Sequence, residues 1–518
     1  MKLEYDILRD KILGCWTGKN VGGVLGAPLE GYRGVHDIEF YLQDFKGNPP
    51  ANDDLDLQLI WLNAVERYGR TIDAKILGEY WLSYIIPEWN EYGVAKHNLQ
   101  AGFLPPISGY LDNPYRDSCG CFIRSEIWAC LAPGHPDIAA RYAYEDGIVD
   151  HSTDGLFAEI FCAALQSSAF VETDSRKLIE IGLSYIPADS GVYKGIKTVC
   201  ECYDNGDDWK TARKRLFNAV PGTFGEQITP IKDIEDKETP LGKPGWDAPG
   251  NIGIIIIGWL YGEGDFGKSL CIAVNCGEDT DCTAATLGAI LGIIHGASNL
   301  PAKWVEPTCD IINTICINNL SDGLWIPKTC TELTDRVLGV IPAFLGPQWC
   351  NCLGDGISIE TEKDMFPVRN DEFQKGISGL GKFTDYTLPE MQKLQPFAVM
   401  YKFPAFDVAL DYMQEPYLKA SEPRKLKLIF KNNGLLRQTL WLDINIHAPE
   451  NVQVSPGKSL NAHVTSLYNV RTEFEIEVLV EDFVEPRIDI IFDISSKGRH
   501  TSHSIKATLI PDFRVNKI

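Results

Sequence analysis

At 518 residues the chain exceeds one ordinary domain, and its 44% hydrophobic and 23% charged residues are globular proportions that exclude a mainly disordered or collagen-like polymer. With 48 Lys and Arg against 71 Asp and Glu, the net charge is −23. Such a field repels phosphate backbones and anionic lipid, so nucleic acid and membrane surfaces are poor partners.

The opening MKLEYDILRDKILGCW mixes charges into its apolar positions, unlike a signal peptide. The 15 cysteines are odd in number and scattered. That pattern fits reduced thiols and a cytoplasmic location better than a secreted disulfide framework. Helical spacing then predicts Tyr5 to Trp16, Leu55 to Tyr68, Ile138 to Asp146, Gly155 to Phe170, Ser175 to Tyr185 and Thr329 to Ile341. Gly69, Gly147 and Pro187 supply stop signals. The longest uncharged stretch, Cys282 to Ala302, contains Thr, Gly, His and Asn and follows Asp279 and Asp281 closely, so it reads as a buried core helix rather than a membrane span.

Past Leu345 the helical spacing fades. Short alternating runs follow at Lys425 to Phe430, Leu440 to Ile446, Phe474 to Val480, Arg487 to Ile494 and Ser504 to Ile510, punctuated by Asn432-Asn433-Gly434 and Ser496-Lys497-Gly498. The expected organisation is an all-α domain over 1–345, an irregular linker over 346–393 and a β-sandwich of Ig-like style over 394–518. The acidic stretch Asp233 to Glu238 reads as a solvated loop.

Two stretches carry chemistry. Asn52-Asp53-Asp54-Leu55-Asp56 heads an amphipathic helix. Taken alone it reads as N-capping, since carboxylates belong at a helix's positive end; adjacent aspartates, ~100° apart on a helix, are also placed to reach two neighbouring ions. Cys276-Gly277-Glu278-Asp279-Thr280-Asp281-Cys282-Thr283 opens one of the most apolar segments, and no Lys or Arg lies nearer in sequence than Lys268 and Lys303. Buried anions are costly unless paired or bound to a cation, so an oxygen-rich cation site is favoured over capping here. Together the stretches describe a hard-cation site of the Mg²⁺ or Mn²⁺ type.

In order along the chain, the motifs resemble those of the ADP-ribosylglycohydrolase family. Lys11 to Gly14 through Gly22 to Glu30 resembles that family's opening Gly-rich helix and following acidic residue. Asn52-Asp53-Asp54 is similar to its Thr-Asp-Asp, Ser118 to Arg124 to its Gly-Asn-Gly-x-x-x-Arg loop, Asp150-His151 to its Thr-His pair, and Asp279 to Cys282 to its Asp-x-Asp-Thr. The resemblance covers roughly residues 1–345 and leaves the β region outside. It implies an all-α fold with a binuclear Mg²⁺ centre, Mn²⁺ being the other ion of that class, that holds the ribose of a small-molecule or protein-linked ADP-ribosyl group. Asn52, Asp53, Asp54, Asp279, Asp281 and Cys282 would be the metal residues. Asp54, Asp281 and Glu30 would be catalytic, a ligand Asp or Glu30 taking the proton of the attacking water. Ser118, Cys119, Gly120, Cys121 and His151 would bind substrate, with backbone N–H groups at Ser118 to Cys121 receiving a diphosphate. Arg124 is either a substrate contact or an ion-pair partner.

The chain departs from the family pattern at Asn52 and Cys282, where the family supplies Thr, at Gly23 for Asp, and at Cys119 for the loop Asn. A thiol suits Mg²⁺ poorly. Cys282 therefore either stands back while water takes its place, or Thr283 or Thr280 contributes instead. Zinc at Cys119/Cys121, Cys200/Cys202 and Cys350/Cys352 is disfavoured by spacing, and a phosphate loop at Gly18, Gly22, Gly23 and Gly26 by the absence of a preceding strand; close helix packing suits those glycines better. An aspartyl phosphatase at Asp279-x-Asp281 needs an α/β sheet that the pattern lacks. The remaining alternatives are a glycosidase acting on another sugar, its β domain touching carbohydrate or a second copy, and a non-catalytic relative.

Overall fold

The helical spacings are realised in a computed structural model, in which residues 2–221, 245–318, 324–352, 356–367, 396–432, 439–465, 471–483 and 485–513 are described. Strand β1 (Lys2–Leu3) precedes α1 (Tyr5–Gly26), α2 (Asp53–Tyr68), α3 (Ala74–Tyr84), α4 (Asn90–Gln100), α5 (Ile107–Tyr110), α6 (Glu126–Leu131), α7 (Pro136–Gly147) and α8 (Thr153–Ala169). Then come α9 (Ser175–Ser184), α10 (Gly191–Asp204), α11 (Trp209–Ala219), α12 (Ala248–Gly262), α13 (Phe266–Asn275), α14 (Thr280–His295), α15 (Ala302–Val305) and α16 (Cys330–Leu345). Side-chain caps mark many of the starts: Asp73, Asp174, Ser190, Asp208, Asp265 and Thr329 each accept from an N–H of the first turn.

Two differences from the sequence expectation matter. Helix α1 continues past Trp16 to Gly26, through a run whose glycines have poor helix propensity; tertiary packing overrides it. Helices α10 to α13 were not anticipated, and α12 shows why. Its Ile252 and Ile254 to Ile257 are all buried, so no polar face marks a helical period. The uncharged stretch after Asp281 is a core helix, with α14 buried almost throughout. No helix among the described residues is long and apolar enough to cross a membrane, and every cysteine is a free thiol.

The chain clusters into two compact units, 1–99 with 108–368 and 100–107 with 369–518. Within the first, β2 (Cys350–Asn351) and β3 (Ser358–Glu360) form a small sheet with β1, in the order β1-β3-β2. Part of the stretch expected as irregular is therefore ordered, whereas residues 368–393 of it lie outside the described residues. So do Asp233 to Glu238, and Asn433 and Gly434 of the first expected turn.

The second unit is built of antiparallel strands: β4 (Ala398–Lys402), β5 (Phe406–Asp411), β6 (Tyr417–Leu418), β7 (Arg424–Asn432), β8 (Leu440–His447), β9 (Val452–Ser455), β10 (Ser459–Val464), β11 (Arg471–Val480), β12 (Ile488–Ser496) and β13 (Ser502–Pro511). They make two five-stranded sheets, β10-β8-β12-β13-β6 and β4-β5-β7-β11-β9; only the short β13–β6 pairing is parallel. Burial alternates along β8 and β12, and the register puts Phe492 opposite Ile446 and Ile494 opposite Ile444 on the inner face. Ser496-Lys497-Gly498 turns β12 into β13, with Gly498 at φ 75°.

Candidate functional site

Two helices in main-chain contact set the site. Gly14, Gly18, Gly22 and Gly26 recur every fourth residue along α1 and so form one stripe. A Cβ at these positions would lie 2.2, 2.0, 2.0 and 2.2 Å from the carbonyl oxygens of Gly292, Gly288, Ala284 and Thr280, respectively. The partners descend as the glycines ascend, so α1 and α14 run antiparallel, and the end of α1 lies against the start of α14. Thr280 Oγ1 donates to the Gly26 carbonyl at 2.9 Å. The N-terminal glycines are thus packing residues, as their spacing suggested.

The loops beyond these helix ends are pinned together. Gly31 N donates to Glu278 O (2.9 Å), Glu278 N to Tyr32 O (3.3 Å) and His36 N to Asn275 O (2.9 Å). Gly277 has φ 72°, and a Cβ there would meet Gly34 O at 2.5 Å, so both its conformation and its surroundings demand glycine. The sequence offered Glu278 no basic partner, yet the fold brings two: Arg213 Nη2 at 3.6 Å and Arg33 Nε at 3.9 Å. Glu278 is thereby a buried ion-pair residue, and Asp279 and Asp281 are left facing the acids of α2.

Asn52 caps α2, its Oδ1 accepting from Asp54 N at 2.8 Å, while its Nδ2 has no partner. Gly23 makes room for it, since a Cβ there would come 2.6 Å from that Nδ2. Asp56 turns away and anchors a loop by accepting from Ile315 N (2.7 Å) and Cys316 N (2.5 Å). Asp54 is 2% exposed, with neither carboxylate oxygen hydrogen-bonded among the described residues. Ligand atoms of Asp54, Asp281 and Cys282 lie within 4.8 Å of one another, and so do those of Glu30, Asp279 and Asp281. The two aspartate stretches therefore meet.

Electrostatics marks the crowding. Withdrawal from water, then the charges of Asp279, Asp53 and Asp54, pushes the Glu30 carboxyl up to about 8. Burial raises Asp54 to about 8 against the opposing pull of Lys19, and burial with Asp279 raises Asp53 to about 6. Burial and four neighbouring acids hold Asp281 well above the usual range. Lys19, wholly buried, pairs with Glu126 at 3.3 Å; burial alone would lower it, but Glu126 and Asp54 hold it above its ordinary value. Glu126 in turn accepts from Gln58 and Gln166 at 3.0 Å.

This predicts a stability profile for chelator-treated protein. Unfolded, these acids lose their protons near their ordinary 3.8 to 4.5; folded, Asp53 keeps its proton to about 6, and Glu30 and Asp54 to about 8. Between those limits the folded chain carries more protons, so stability falls as pH rises through that window. Melting temperatures recorded across it should decline, and added Mg²⁺ should restore most at the alkaline end. A rise with pH would contradict the placement of these carboxyls.

Whether divalent cations fit turns on donors left unsatisfied among the described residues. Both Asp54 oxygens and Asp279 Oδ1 are buried without a hydrogen bond there, among further carboxylates and with Lys19 as a neighbouring cation. Carboxylate oxygens so placed suit hard cations. Glu30, Asp54, Asp279 and Asp281 fit such a group, with the Cys282 sulfur beside them; Asp53 is in neither cluster, and Asn52 Oδ1 accepts from Asp54 N.

The other expected residues divide. Ser118 Oγ lies 2.7 Å from His151 Nε2, and His151 Nδ1 lies 3.1 Å from Asp150 Oδ1, all buried. The Cys119 thiol sits against Asp279. Cys121 faces the opposite way, donating to Glu159 Oε2 at 2.7 Å, so the Cys119/Cys121 pair is split and makes no common metal site. Ser118 N and Cys119 N donate to the carbonyls of Tyr115 and Trp246, both at 2.9 Å, which removes these two N–H groups from any diphosphate cradle. Arg124 is the ion-pair partner: fully buried, it donates to Asp146 (2.9 Å), to both Asp150 oxygens (2.5 and 3.0 Å) and to Gly120 O (2.6 Å). Asp279 follows a helix rather than a strand, contrary to the phosphatase pattern.

Sequence reasoning missed Lys19, Glu126 and Glu91. Glu91 is buried, raised to about 7 by burial, and its Oε1 would be 2.2 Å from a Cβ at Gly120. A lysine inside a glycine-rich apolar helix was the one legible signal, since a buried cation demands a partner.

Comparison with known proteins bears on this arrangement. The family model for ADP-ribosylglycohydrolase matches residues 4–339. The chain is similar to the ADP-ribosylarginine hydrolase Tri1 of Serratia proteamaculans (strain 568), 32% identical over 66 residues, covering 13% of this chain and 17% of that protein. It is also similar to the ADP-ribosylarginine hydrolase Tri1 of Pseudomonas putida (strain GB-1), 34% identical over 47 residues, covering 9% of this chain and 13% of that one. Each of these matches thus spans less than a fifth of the relative's length. The family match takes in the glycine stripe, both aspartate stretches and the His151 segment, and by it the chain belongs to the ADP-ribosylglycohydrolase family.

Proposed function

We propose that the helical unit hydrolyses an ADP-ribosyl or related ribosyl glycosidic bond at a binuclear divalent-cation centre. One observation carries this reading: aspartates more than two hundred residues apart converge with the Asp54 oxygens buried and unclaimed among the described residues. Asn52, Asp53, Asp54, Asp279, Asp281 and Cys282 would hold two ions of the Mg²⁺ or Mn²⁺ type. Bound there, the ions supply Lewis acidity toward a ribose's vicinal hydroxyls and toward water.

The remaining chemistry falls to the chain. Cleavage at ribose C1 develops oxocarbenium character, so a water gives up a proton as its oxygen bonds to C1, and the departing group takes up a proton as its bond to C1 breaks. The Glu30 carboxyl lies within 4.8 Å of Asp279 and Asp281, which suits it to take that proton. Asp54 and Asp281 hold the reacting geometry. Ser118 and His151, a buried hydrogen-bonded pair, would contact the substrate in this reading.

The names of the partial relatives make arginine-linked ADP-ribose the first substrate to test, as free or protein-linked material. A second reading is favoured by the engaged N–H groups of Ser118 and Cys119: a ribosyl or other sugar substrate without a diphosphate. The proposed organisation is a catalytic domain over 1–345 and an Ig-like β-sandwich accessory domain over 394–518 that touches carbohydrate or a second copy. The proposed location is cytoplasmic. Incubating the full chain with ADP-ribosylarginine, with and without chelator, should release free ADP-ribose only when divalent cation is present. Release undiminished by exhaustive chelation would overturn the metal mechanism; no release from any ribosyl substrate would overturn the activity.

A further inference from the structure

The first turn of α14 brings three non-carboxylate side chains to the acid cluster, and both hydroxyls among them donate their hydrogens to main-chain carbonyls. Thr280 Oγ1 donates to Gly26 O at 2.9 Å, and Thr283 Oγ1 to Thr280 O at 3.2 Å; both residues are wholly buried. The third is Cys282, half-buried, its sulfur within 4.8 Å of oxygens of both Asp54 and Asp281. An independent observation points to a ligand at this place. Asp54 is 2% exposed, faces the same group, and among the described residues has no hydrogen bond to either carboxylate oxygen. The second group, Glu30 with Asp279 and Asp281, is all oxygen, and Asp281 belongs to both groups.

We infer that the centre is chemically divided: Asp281 bridges an all-oxygen position at Glu30 and Asp279, suited to Mg²⁺, and a position at Asp54 and Cys282 that takes a borderline-soft first-row ion of the zinc type through the Cys282 sulfur. This rests on the binuclear reading above and adds the identity of one ion. In the tetrahedral arrangement such an ion prefers, metal–sulfur and metal–oxygen lengths of ~2.3 and ~2.1 Å put those donors ~3.6 Å apart. The three ligand atoms already lie within 4.8 Å of one another, so side-chain movement of up to about an ångström closes them on one ion. On binding, the S–H bond breaks, the proton leaves to solvent and the metal–sulfur bond forms. Thiolate discriminates strongly between the two ion classes, because sulfur favours zinc-type ions and gives Mg²⁺ little. The Asp279 carboxyl touches both the Cys282 and the Cys119 thiols, so Cys119 is the neighbouring sulfur against which the assignment is tested.

Cobalt tests this on the intact chain, because a thiolate bound to Co²⁺ produces a near-ultraviolet charge-transfer band that oxygen ligands do not. Chelator-treated protein titrated with Co²⁺ should develop the band at one equivalent. Cys282→Ser should abolish it and weaken Zn²⁺ binding, read by competition, on the order of tenfold or more, since loss of even an outer partner of a ligand costs that much. Cys119→Ser should keep the band. Co²⁺ binding without the band, or a band that survives Cys282→Ser, overturns the inference and leaves a carboxylate centre standing. If neither Co²⁺, Mg²⁺ nor Mn²⁺ binds in equilibrium dialysis, the binuclear reading falls, and this inference with it.

Discussion

Replacing Gly18 by alanine should destabilise the protein, although the same exchange improves helix propensity. In an open helix interior, alanine is favoured over glycine by ~1 kcal/mol. At Gly18 the added carbon would sit 2.0 Å from the Gly288 carbonyl oxygen, which is main chain and has no rotamer to escape into. Relief comes only by moving α1 and α14 apart along a contact that runs from Gly14 to Gly26. Overpacking a core typically costs about 1–3 kcal/mol, and a backbone obstacle places this site at the upper end, so a net loss of about 2 kcal/mol is expected. Gly339 supplies the opposite sign. It lies in α16, and a methyl group added there would meet nothing within 4 Å, so Gly339→Ala should stabilise by up to ~1 kcal/mol. Denaturant unfolding of the pair checks both, and equal behaviour of the two variants would refute the crossing.

The second large effect is catalytic. Asp281→Asn should reduce turnover by about a thousandfold or more, because it removes the one carboxylate that belongs to both acid clusters and would serve both ions of the proposed centre. The fold should survive. Asp281 is 3% exposed and its carboxyl is crowded by Glu30, Asp54 and Asp279, so a neutral amide of the same shape relieves repulsion. Metal-free variant should therefore melt no lower than metal-free parent. The two proteins should part when Mg²⁺ is added: a ligand at a hundred times its dissociation constant stabilises by about 2.7 kcal/mol, a gain the variant should largely forgo. Wild-type turnover in Asp281→Asn would defeat the site assignment. A collapsed melting temperature without metal would instead show the carboxylate to be structural.

Much of this was legible from residue patterns, and the exceptions have physical causes. The strands at Leu440–His447 and Ile488–Ser496 announced themselves because one face is wet and the other dry. Helix α12 stayed hidden because every side is dry, and α1 was cut short because its glycines serve a partner helix that no local rule can see. At the site, the aspartates at two helix starts were readable as candidate cation ligands. What sequence distance concealed was pairing. Arg213 and Arg33 claim Glu278, Lys19 comes from the middle of α1 to sit beside Asp54, and Arg124 is consumed by Asp146 and Asp150. Such partners are fixed by topology, so they emerge only once the helices are placed.

The glycine crossing has a consequence for how this enzyme family member can diversify. Glu30 hangs from one end of α1, and Asp279 and Asp281 from the adjoining end of α14, so the gap between these acids is gauged by peptide groups touching peptide groups. Side chains elsewhere in the core can be exchanged without resetting that gauge. Loops that do not touch this crossing can change while the spacing of the acids stays constant.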